Sequence, residues 1–282
     1  MDLSPLPEIM VEPIVRAALL EDLGRAGDIT SDAIVPAHYS TGMDLVARQD
    51  GVVAGLDCAQ LAFRLMDPAI AFRPVLADGA SVAPGAVIAH VEGPGRGLLT
   101  AERTALNLMC HLSGIATATA GLVQAIAGHK AQIVCTRKTT PGLRALEKHA
   151  VRAGGGSNHR FGLDDAVLVK DNHIAIAGSV GEAVTRVRAH AGHMVKIEVE
   201  VDTLAQLDEL LGLGVDAVLL DNMTPDLLAQ AVAMVRGRMI TEASGRVNLE
   251  NAPAIAAAGV DLISVGWLTH SAPILDIGLD AA

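Results

Sequence analysis

The sequence predicts an α/β protein in which a smaller α/β sandwich domain precedes an incomplete (β/α) barrel. Two observations in the second half of the chain support this prediction. Short runs rich in Val, Ile and Leu recur about every 22 residues with helical stretches between them, as in βα units joined by short loops. Polar residues fall at the ends of those runs. The first half lacks this alternation and is punctuated by glycine and proline instead.

The first half predicts a hammerhead-like domain over residues 1–115. Helices are expected at residues 8–23, 56–66 and 99–127. A kink is expected at Gly114, and a strand over residues 43–53 should lead into a turn at Asp50-Gly51. Residues 78–93 are similar in pattern to the hammerhead of biotinyl and lipoyl carriers, but they contain no lysine for a hairpin tip. We therefore interpret this segment as scaffold.

The second half predicts a barrel domain over residues 116–269 and a tail, residues 270–282, that packs back on the first domain. Strands are expected at residues 132–136, 166–170, 195–201, 217–221, 239–242 and 262–265. Helices are expected at residues 180–191, 204–211, 225–235 and 251–258, three of them behind the N-cap residues Ser179, Thr203 and Thr224. Because a closed barrel has eight strands, the six strands recognised here predict a barrel that is incomplete or that borrows a strand from elsewhere.

The composition narrows the class of protein. Apolar residues make up 51% of the chain, which supports a sizeable core, and charges interrupt the apolar runs, so we expect no transmembrane helix and no membrane partner. Aromatic residues are only 2% and the net charge is −11, which argues against nucleic acid, because such binders use aromatic stacking and positive charge. Three widely spaced cysteines and an N-terminus without early basic residues predict a cytoplasmic location.

One short segment of this acidic chain is strongly basic. Six arginines and lysines occur between residues 135 and 160, against a single acid. Arg137 and Lys138 follow the first barrel strand, where the pair could bind a carboxylate and a phosphate together or form a solvated basic loop. His159 and Arg160 end a triple-glycine loop, which suits close approach to a ligand or an ordinary surface turn. Because strand ends converge at the mouth of a barrel, these cations predict a site for a small, highly charged anion.

Charged residues also end later strands. Lys170 ends the second strand and suits three roles, as a Schiff-base nucleophile, as a carboxylate ligand or as a snorkelling lysine. Glu200 and Asp221 lie near the ends of consecutive strands. They could hold a magnesium ion through water and substrate oxygens, or they could balance the lysines.

Small residues follow the last two strands. Ser244-Gly245 and Gly266 occupy loops where barrels often bind phosphate, although Ser-Gly also suits a simple turn. The site should therefore hold a carboxylate-bearing substrate beside a phosphate-bearing one, which describes a transferase with an activated phosphate donor. No GxSxG motif supports a hydrolase, and no GxGxxG motif supports dinucleotide binding.

Five stretches of the chain resemble the quinolinate phosphoribosyltransferase family, also called carboxylating nicotinate-nucleotide pyrophosphorylases. They are EDLGRAGDITSDAIVP, ERTALNLMCHLSGIAT, TRKTTPGLRALEKHAVRAGGGSNHRFGLDDAVLVKDNHI, EVEVDTLAQLDELLGLGVDAVLLDNMTP and EASGRVNLENAPAIAAAGVDLISVGWLTHSAP. They extend from the N-terminal helix to near the C-terminus. The resemblance implies two domains, an open α/β barrel and a homodimer with active sites shared between subunits.

The resemblance also implies roles for individual residues. The implied catalytic residues are Lys138, Glu200 and Asp221, the last two contacting Mg²⁺ indirectly, through water and substrate. The implied quinolinate-binding residues are Arg103, Thr136, Arg137, His159, Arg160 and Lys170. The implied phosphate-binding residues are Ser244, Gly245, Arg246, Val265 and Gly266. Arg103 is expected to come from the partner subunit, and Arg246 departs from many relatives, which have a small residue after Ser-Gly.

The implied reaction transfers phosphoribosyl from phosphoribosyl pyrophosphate to quinolinate with decarboxylation, giving nicotinate mononucleotide, pyrophosphate and CO₂ in de novo NAD biosynthesis. Two alternatives fit the same residues. One is a Schiff-base lyase on the same barrel that uses Lys170, and the other is a non-catalytic relative that binds an anion.

Overall fold

The computed structural model describes residues 3–281 and divides the chain into two compact units. The first unit comprises the chain up to Ala120, Thr139–Gly155 and the chain from Leu268 onward; the second comprises Gly121–Lys138 and Gly156–Trp267. The sequence placed residues 139–155 in the barrel domain, whereas the structure groups them with the first unit. Buried Glu147 is one reason, because its carboxylate accepts hydrogen bonds from Nε2 of His111 (2.9 Å) and the backbone N–H of Thr140 (3.0 Å).

The elements alternate along most of the chain. The helices are α1 Glu8–Leu23, α2 Ile29–Ile34, α3 Leu56–Met66, α4 Gly95–Ala125, α5 Arg144–Ala153, α6 Asp171–Ala177, α7 Val180–His190, α8 Leu204–Leu210, α9 Pro225–Val235 and α10 Ala252–Ala257. The strands are β1 Ser40–Ala47, β2 Gly51–Val52, β3 Ala71–Pro74, β4 Ser81–Val82, β5 Val87–Pro94, β6 Gln132–Val134, β7 Val167–Val169, β8 Ile197–Val201, β9 Ala217–Asp221, β10 Ile240–Ser244, β11 Leu262–Ser264 and β12 Ile277–Ala281.

The first unit contains a four-stranded antiparallel sheet in the order β12-β1-β5-β3. The last strand therefore pairs with the first, with Leu279 opposite Leu45. The strand predicted over residues 43–53 is wrong in its continuity, because the chain bends after Ala47 and Gly51 starts β2, which pairs with β4 instead. The two helices predicted at residues 8–23 and 56–66 are confirmed as α1 and α3.

The long helix α4 runs without interruption through Gly114, so the predicted kink does not break it. By length and composition α4 could cross a membrane, contrary to the expectation that no segment could, but 61% of its most apolar window is buried inside the structure, as in the core helix of a globular protein. Gly114 is required by its surroundings. A Cβ there would lie 2.1 Å from the backbone oxygen of Pro273 and 2.8 Å from Cα of Ile274.

The second unit contains six parallel strands in the order β6-β11-β10-β9-β8-β7. All six predicted strands of this half are present, and the sheet is an open barrel, because β6 and β7 lie at its two edges and are not paired with each other in the described chain. The predicted caps are also confirmed. The side-chain oxygens of Ser179, Thr203 and Thr224 accept hydrogen bonds from the first turns of α7, α8 and α9.

Because backbone atoms lie where a Cβ of Gly114 would be, we expect even an alanine at this position to destabilise the fold. Gly114→Ala should lower the free energy of unfolding by about 1–3 kcal/mol, the usual cost of overpacking, because backbone atoms of residues 273–274 cannot move as a flexible side chain can. Chemical denaturation monitored by circular dichroism measures this change.

Gly121→Ala in the same helix is the matched control. Its Cβ would make an ordinary 3.6 Å contact with Leu249, so helix propensity should stabilise it by up to about 1 kcal/mol. Equal destabilisation by both substitutions would contradict the packing explanation.

Candidate active site

A cavity of about 410 Å³ opens among the strands of the second unit. Nine of the sequence-predicted residues line it, namely Thr136, Arg137, Lys138, His159, Arg160, Lys170, Glu200, Asp221 and Ser244. Glu242, Ser264, Leu168 and Leu219 complete the lining. Four arginine and lysine side chains and three carboxyl groups therefore surround one space. Such a cavity has the charge to hold an anion and the acids to hold a cation beside it.

The triple-glycine loop reaches the cavity by pairing with the free edge of the sheet. The backbone N–H of Ser157 donates to the carbonyl of Ile133 (2.8 Å), and the N–H of Cys135 donates to the carbonyl of Ser157 (3.2 Å). This short parallel bridge lies along β6, the strand that Arg137 and Lys138 follow. The pairing therefore brings His159 and Arg160 next to two cations that are more than 20 residues earlier in the chain.

His159 is held by protein groups on both ring nitrogens. Nδ1 accepts the backbone N–H of Arg160 (2.8 Å), so the neutral ring carries its proton on Nε2. Nε2 then donates to Glu198 (2.9 Å) and lies 3.7 Å from Oε1 of Glu242. The imidazole thus fixes the backbone at Arg160, and in this arrangement neither ring nitrogen is open to a substrate carboxylate.

The guanidinium group of Arg160 has one nitrogen that donates a hydrogen bond within the protein and one buried nitrogen that does not. Its Nη1 donates to the backbone oxygen of Ala166 (2.7 Å), whereas the buried Nε has no hydrogen-bond acceptor among residues 3–281. Burial, and to a smaller extent the neighbouring charge of Arg137, lower the pKa of Arg160, while Glu198 opposes the shift. An anion in the cavity would supply the missing acceptor and relieve the repulsion between the two guanidinium groups.

Glu242 is the most deeply buried charged residue of the lining, with 1% of its surface exposed. Its Oε1 has no hydrogen-bond partner within the described chain. Burial raises the pKa of Glu242 to about 7, the charge of Glu198 acts in the same direction, and His159 and Ser264 act against it. The carboxyl group is therefore poised to change its charge near neutral pH.

The other two carboxyl groups lie on adjacent strands. Glu200 is on β8 and Asp221 ends β9, and burial raises the pKa of Glu200, an effect that Lys170 opposes and Asp221 reinforces. Oδ2 of Asp221 accepts a hydrogen bond from the side-chain amide of Asn222 (2.5 Å). Lys170 lies at the start of α6 and is exposed.

Two glycines shape the neighbouring loops. Gly245 has a φ of +110°, and a Cβ there would lie 2.4 Å from Oδ1 of Asn222, so only glycine fits. A Cβ on Gly266 would lie 2.8 Å from Cδ of Lys138, so the lysine stem crosses this loop directly. Lys138 and the loop after β11 are thus in contact.

Besides Gly245 and Gly266, three other predicted residues lie off the cavity lining. Val265 is buried and its N–H donates to the carbonyl of Val134 (2.9 Å), so its side chain belongs to the core. Arg246 is exposed with a φ of +47°, and its carbonyl accepts from Asn251 (3.1 Å). Arg103 lies on α4 in the first unit with 64% of its side chain exposed, 3.9 Å from Glu102. The lining residues of the cavity all belong to the second unit.

Glu198, Glu242 and Asn222 were not predicted as site residues. Glu198 carried a usable signal, because it lies two positions before Glu200 and therefore on the same face of β8. Glu242 ends a predicted strand, but its nearness to His159 depends on the pairing of the glycine loop with β6. Asn222 follows Asp221 directly, and only its left-handed backbone, with a φ of +53°, places it against Gly245.

Two family models match almost the whole chain. Residues 28–113 match the N-terminal domain of quinolinate phosphoribosyl transferase, and residues 115–280 match the C-terminal domain. The chain is 48% identical over 272 residues to nicotinate-nucleotide pyrophosphorylase [carboxylating] of Mycobacterium leprae, covering 94% of this chain and 95% of that protein. It is 44% identical over 272 residues to the probable enzyme of the same name from Bacillus subtilis, covering 96% and 93%.

Solved structures agree with the sequence relatives. NadC from Streptococcus pyogenes superposes with a TM-score of 0.95 at 40% identity, covering 99% of both chains. The nicotinate-nucleotide pyrophosphorylase from Francisella tularensis superposes with a TM-score of 0.95 at 37% identity, covering 100% of this chain and 99% of that one.

Proposed function

This chain belongs to the quinolinate phosphoribosyl transferase family, and we propose that its cavity binds quinolinate and phosphoribosyl pyrophosphate side by side. The reaction is the decarboxylating phosphoribosyl transfer that makes nicotinate mononucleotide for NAD biosynthesis. The single observation that supports the placement best is the cavity itself, where Arg137, Arg160 and Lys170 lie around one space with Lys138, Glu200 and Asp221.

The cations suit a pyridine with two carboxylates. Arg137 and Arg160 offer planar guanidinium groups and Lys170 a point charge. The buried Nε of Arg160 lacks an acceptor, which a substrate carboxylate would provide. Held in this way, the ring nitrogen would be oriented toward C1 of the ribose donor, and orientation of this kind removes part of the entropic barrier to the transfer.

The donor would lie between Lys138 and the loops after β10 and β11. Ser244 lines the cavity, Gly245 keeps its loop free of side-chain bulk, and Gly266 lies against Lys138. The ring nitrogen then forms a bond to C1 as the bond from C1 to the pyrophosphate oxygen breaks. Lys138 offsets the charge on the departing pyrophosphate, and Glu200 or Asp221 can offset the positive charge that develops on the ribose.

Magnesium fits this donor set. Glu200 and Asp221 provide two carboxylate groups on adjacent strands, and magnesium in such sites completes its shell with water and substrate oxygens. When bound, it would neutralise the pyrophosphate and make it a better leaving group. Decarboxylation follows from the pyridinium that the transfer creates. The C2–carboxylate bond breaks, CO₂ leaves, and the electron pair that stays at C2 forms a C–H bond with a proton.

The lyase alternative is not favoured by the geometry. A Schiff-base lysine is often desolvated in a hydrophobic pocket, whereas Lys170 is exposed and lies among charged side chains. We also propose a cytoplasmic location, where other biosynthetic enzymes of this kind would supply quinolinate.

Mixing the purified protein with quinolinate, phosphoribosyl pyrophosphate and magnesium should release CO₂ and pyrophosphate in equal amounts. Radiolabelled quinolinate carboxylate and a coupled pyrophosphate assay measure the two products, and chelation of magnesium should stop both. A well-folded sample that releases neither product would overturn the proposed function.

Arg137→Ala should weaken quinolinate binding by about 30-fold or more, because removing one partner of a buried charge pair typically costs 2 kcal/mol or more. Isothermal titration calorimetry measures the affinity, and circular dichroism checks that the fold is intact. Arg73→Ala is the control, since Arg73 forms an exposed ion pair with Glu92 and should leave binding unchanged. Unchanged affinity in Arg137→Ala would place the carboxylate site elsewhere.

We further propose a homodimer in which exposed Arg103 completes the partner's cavity. Arg103→Ala and Arg137→Ala should each be inactive alone. Mixed and allowed to exchange subunits, they should recover about a quarter of wild-type activity, because half of the dimers are mixed and each mixed dimer has one intact site. Activity that stays at zero after proven subunit exchange would contradict a shared site.

A further inference from the structure

Glu242 has no assigned role in the proposed reaction, yet it faces the place where a doubly negative substrate would lie. It lines the cavity with its Oε1 unpartnered and 1% of its surface exposed. An ionised carboxylate there would repel a dianion, because water screens an almost fully buried charge poorly. A neutral carboxyl group would not repel it, and it could donate a hydrogen bond.

The groups that face Glu242 are defined on every side. Glu198 approaches from β8, His159 from the glycine loop, and Ser264 from β11. On β10 itself, Glu242 is opposite apolar residues of both neighbouring strands, Leu219 and Leu262. Four cations share the cavity lining, namely Arg137, Lys138, Arg160 and Lys170, as do the carboxyl groups of Glu200 and Asp221.

The cluster of His159, Glu198 and Glu242 has a spacing that a metal ion could use, since one ligand atom from each lies within 4.8 Å of the others. The hydrogen bonds of His159 favour a proton, rather than a metal ion, between these three side chains. Because Nδ1 of His159 accepts the N–H of Arg160, the nitrogen that faces the two carboxyl groups already carries a hydrogen. Metal binding at Nε2 would require that hydrogen to leave and would place a second hydrogen against the Arg160 N–H.

We propose that Glu242 is a further substrate-binding residue of this site, and that it takes up a proton when a pyridine dicarboxylate enters the cavity. The proton comes from solvent and bonds to an oxygen of the Glu242 carboxylate, and no other covalent change occurs. Glu198 already accepts the Nε2–H of His159 (2.9 Å), whereas Oε1 of Glu242 has no hydrogen-bond partner in the described chain, so the geometry assigns the proton to Glu242. This inference rests on the proposed function, because it concerns the same substrate in the same cavity.

The proton uptake has a definite dependence on pH. With a pKa of about 7 in the free protein, Glu242 is mostly protonated at pH 6 and mostly ionised at pH 8. Binding at pH 8 must therefore include protonation, whereas binding at pH 6 need not. The affinity of the wild-type protein for quinolinate should fall about tenfold between pH 6 and pH 8.

Isothermal titration calorimetry of the wild-type protein with quinolinate, in buffers of different ionisation enthalpy, counts the protons directly. Close to one proton per site should be taken up at pH 8 and close to none at pH 6. Glu242→Gln, which is permanently neutral, should bind with little change in affinity across this range and with no uptake from this site. Glu182→Gln makes the same change on the exposed face of α7 and should behave as wild type.

The outcomes separate this inference from the proposed function. Binding of quinolinate without proton uptake at pH 8 would overturn the inference and leave the function standing. Uptake that persists unchanged in folded Glu242→Gln would assign the proton to another group, such as His159, and would also overturn it. A folded wild-type protein that binds no quinolinate at either pH would overturn the proposed function itself. If Glu242→Gln does not fold, the proton count on the wild-type protein still decides.

Discussion

Repulsion between like charges is the constraint that the rest of this site has to satisfy. Arg137 and Arg160 line one cavity, and burial together with the charge of Arg137 lowers the pKa of Arg160. A fold that brings such groups together must offset their repulsion with acids that do not themselves occupy the substrate space. Glu198 meets this need, because it is hydrogen-bonded to His159 and its charge opposes the lowering of the pKa of Arg160.

The open barrel allows these charged groups to come together, because it leaves one edge of β6 free. In a closed barrel β6 would pair with its neighbour along the whole strand, and its free edge would not be available to the glycine loop. Here the edge of β6 pairs with Ser157, and His159 and Arg160, two and three residues later, line the cavity. The missing strands are therefore part of how the site is built, since they leave room for a loop that carries His159 and Arg160.

The acids of the cavity have different environments and hence different uses. Glu200 and Asp221 lie near strand ends, where a hydrated cation and phosphate oxygens can reach them. Glu242 lies two residues before the end of β10 and is nearly fully buried, so water stabilises its charge poorly and its pKa rises. Depth along a strand thus separates two acids that a hydrated cation can reach from one that is almost fully buried.

The sequence by itself determined the six strands, three helix caps and most of the charged groups around the cavity, because these depend on residue periodicity and on neighbours a few positions away. It did not predict the contacts of Glu198 and Glu242 with His159, or the split of the strand at residues 43–53. Only the tertiary structure decided these, since each depends on partners distant in the chain. The path of the folded backbone sets strand pairing, burial and the direction of a hydrogen bond to His159. Those contacts leave no local pattern in the sequence.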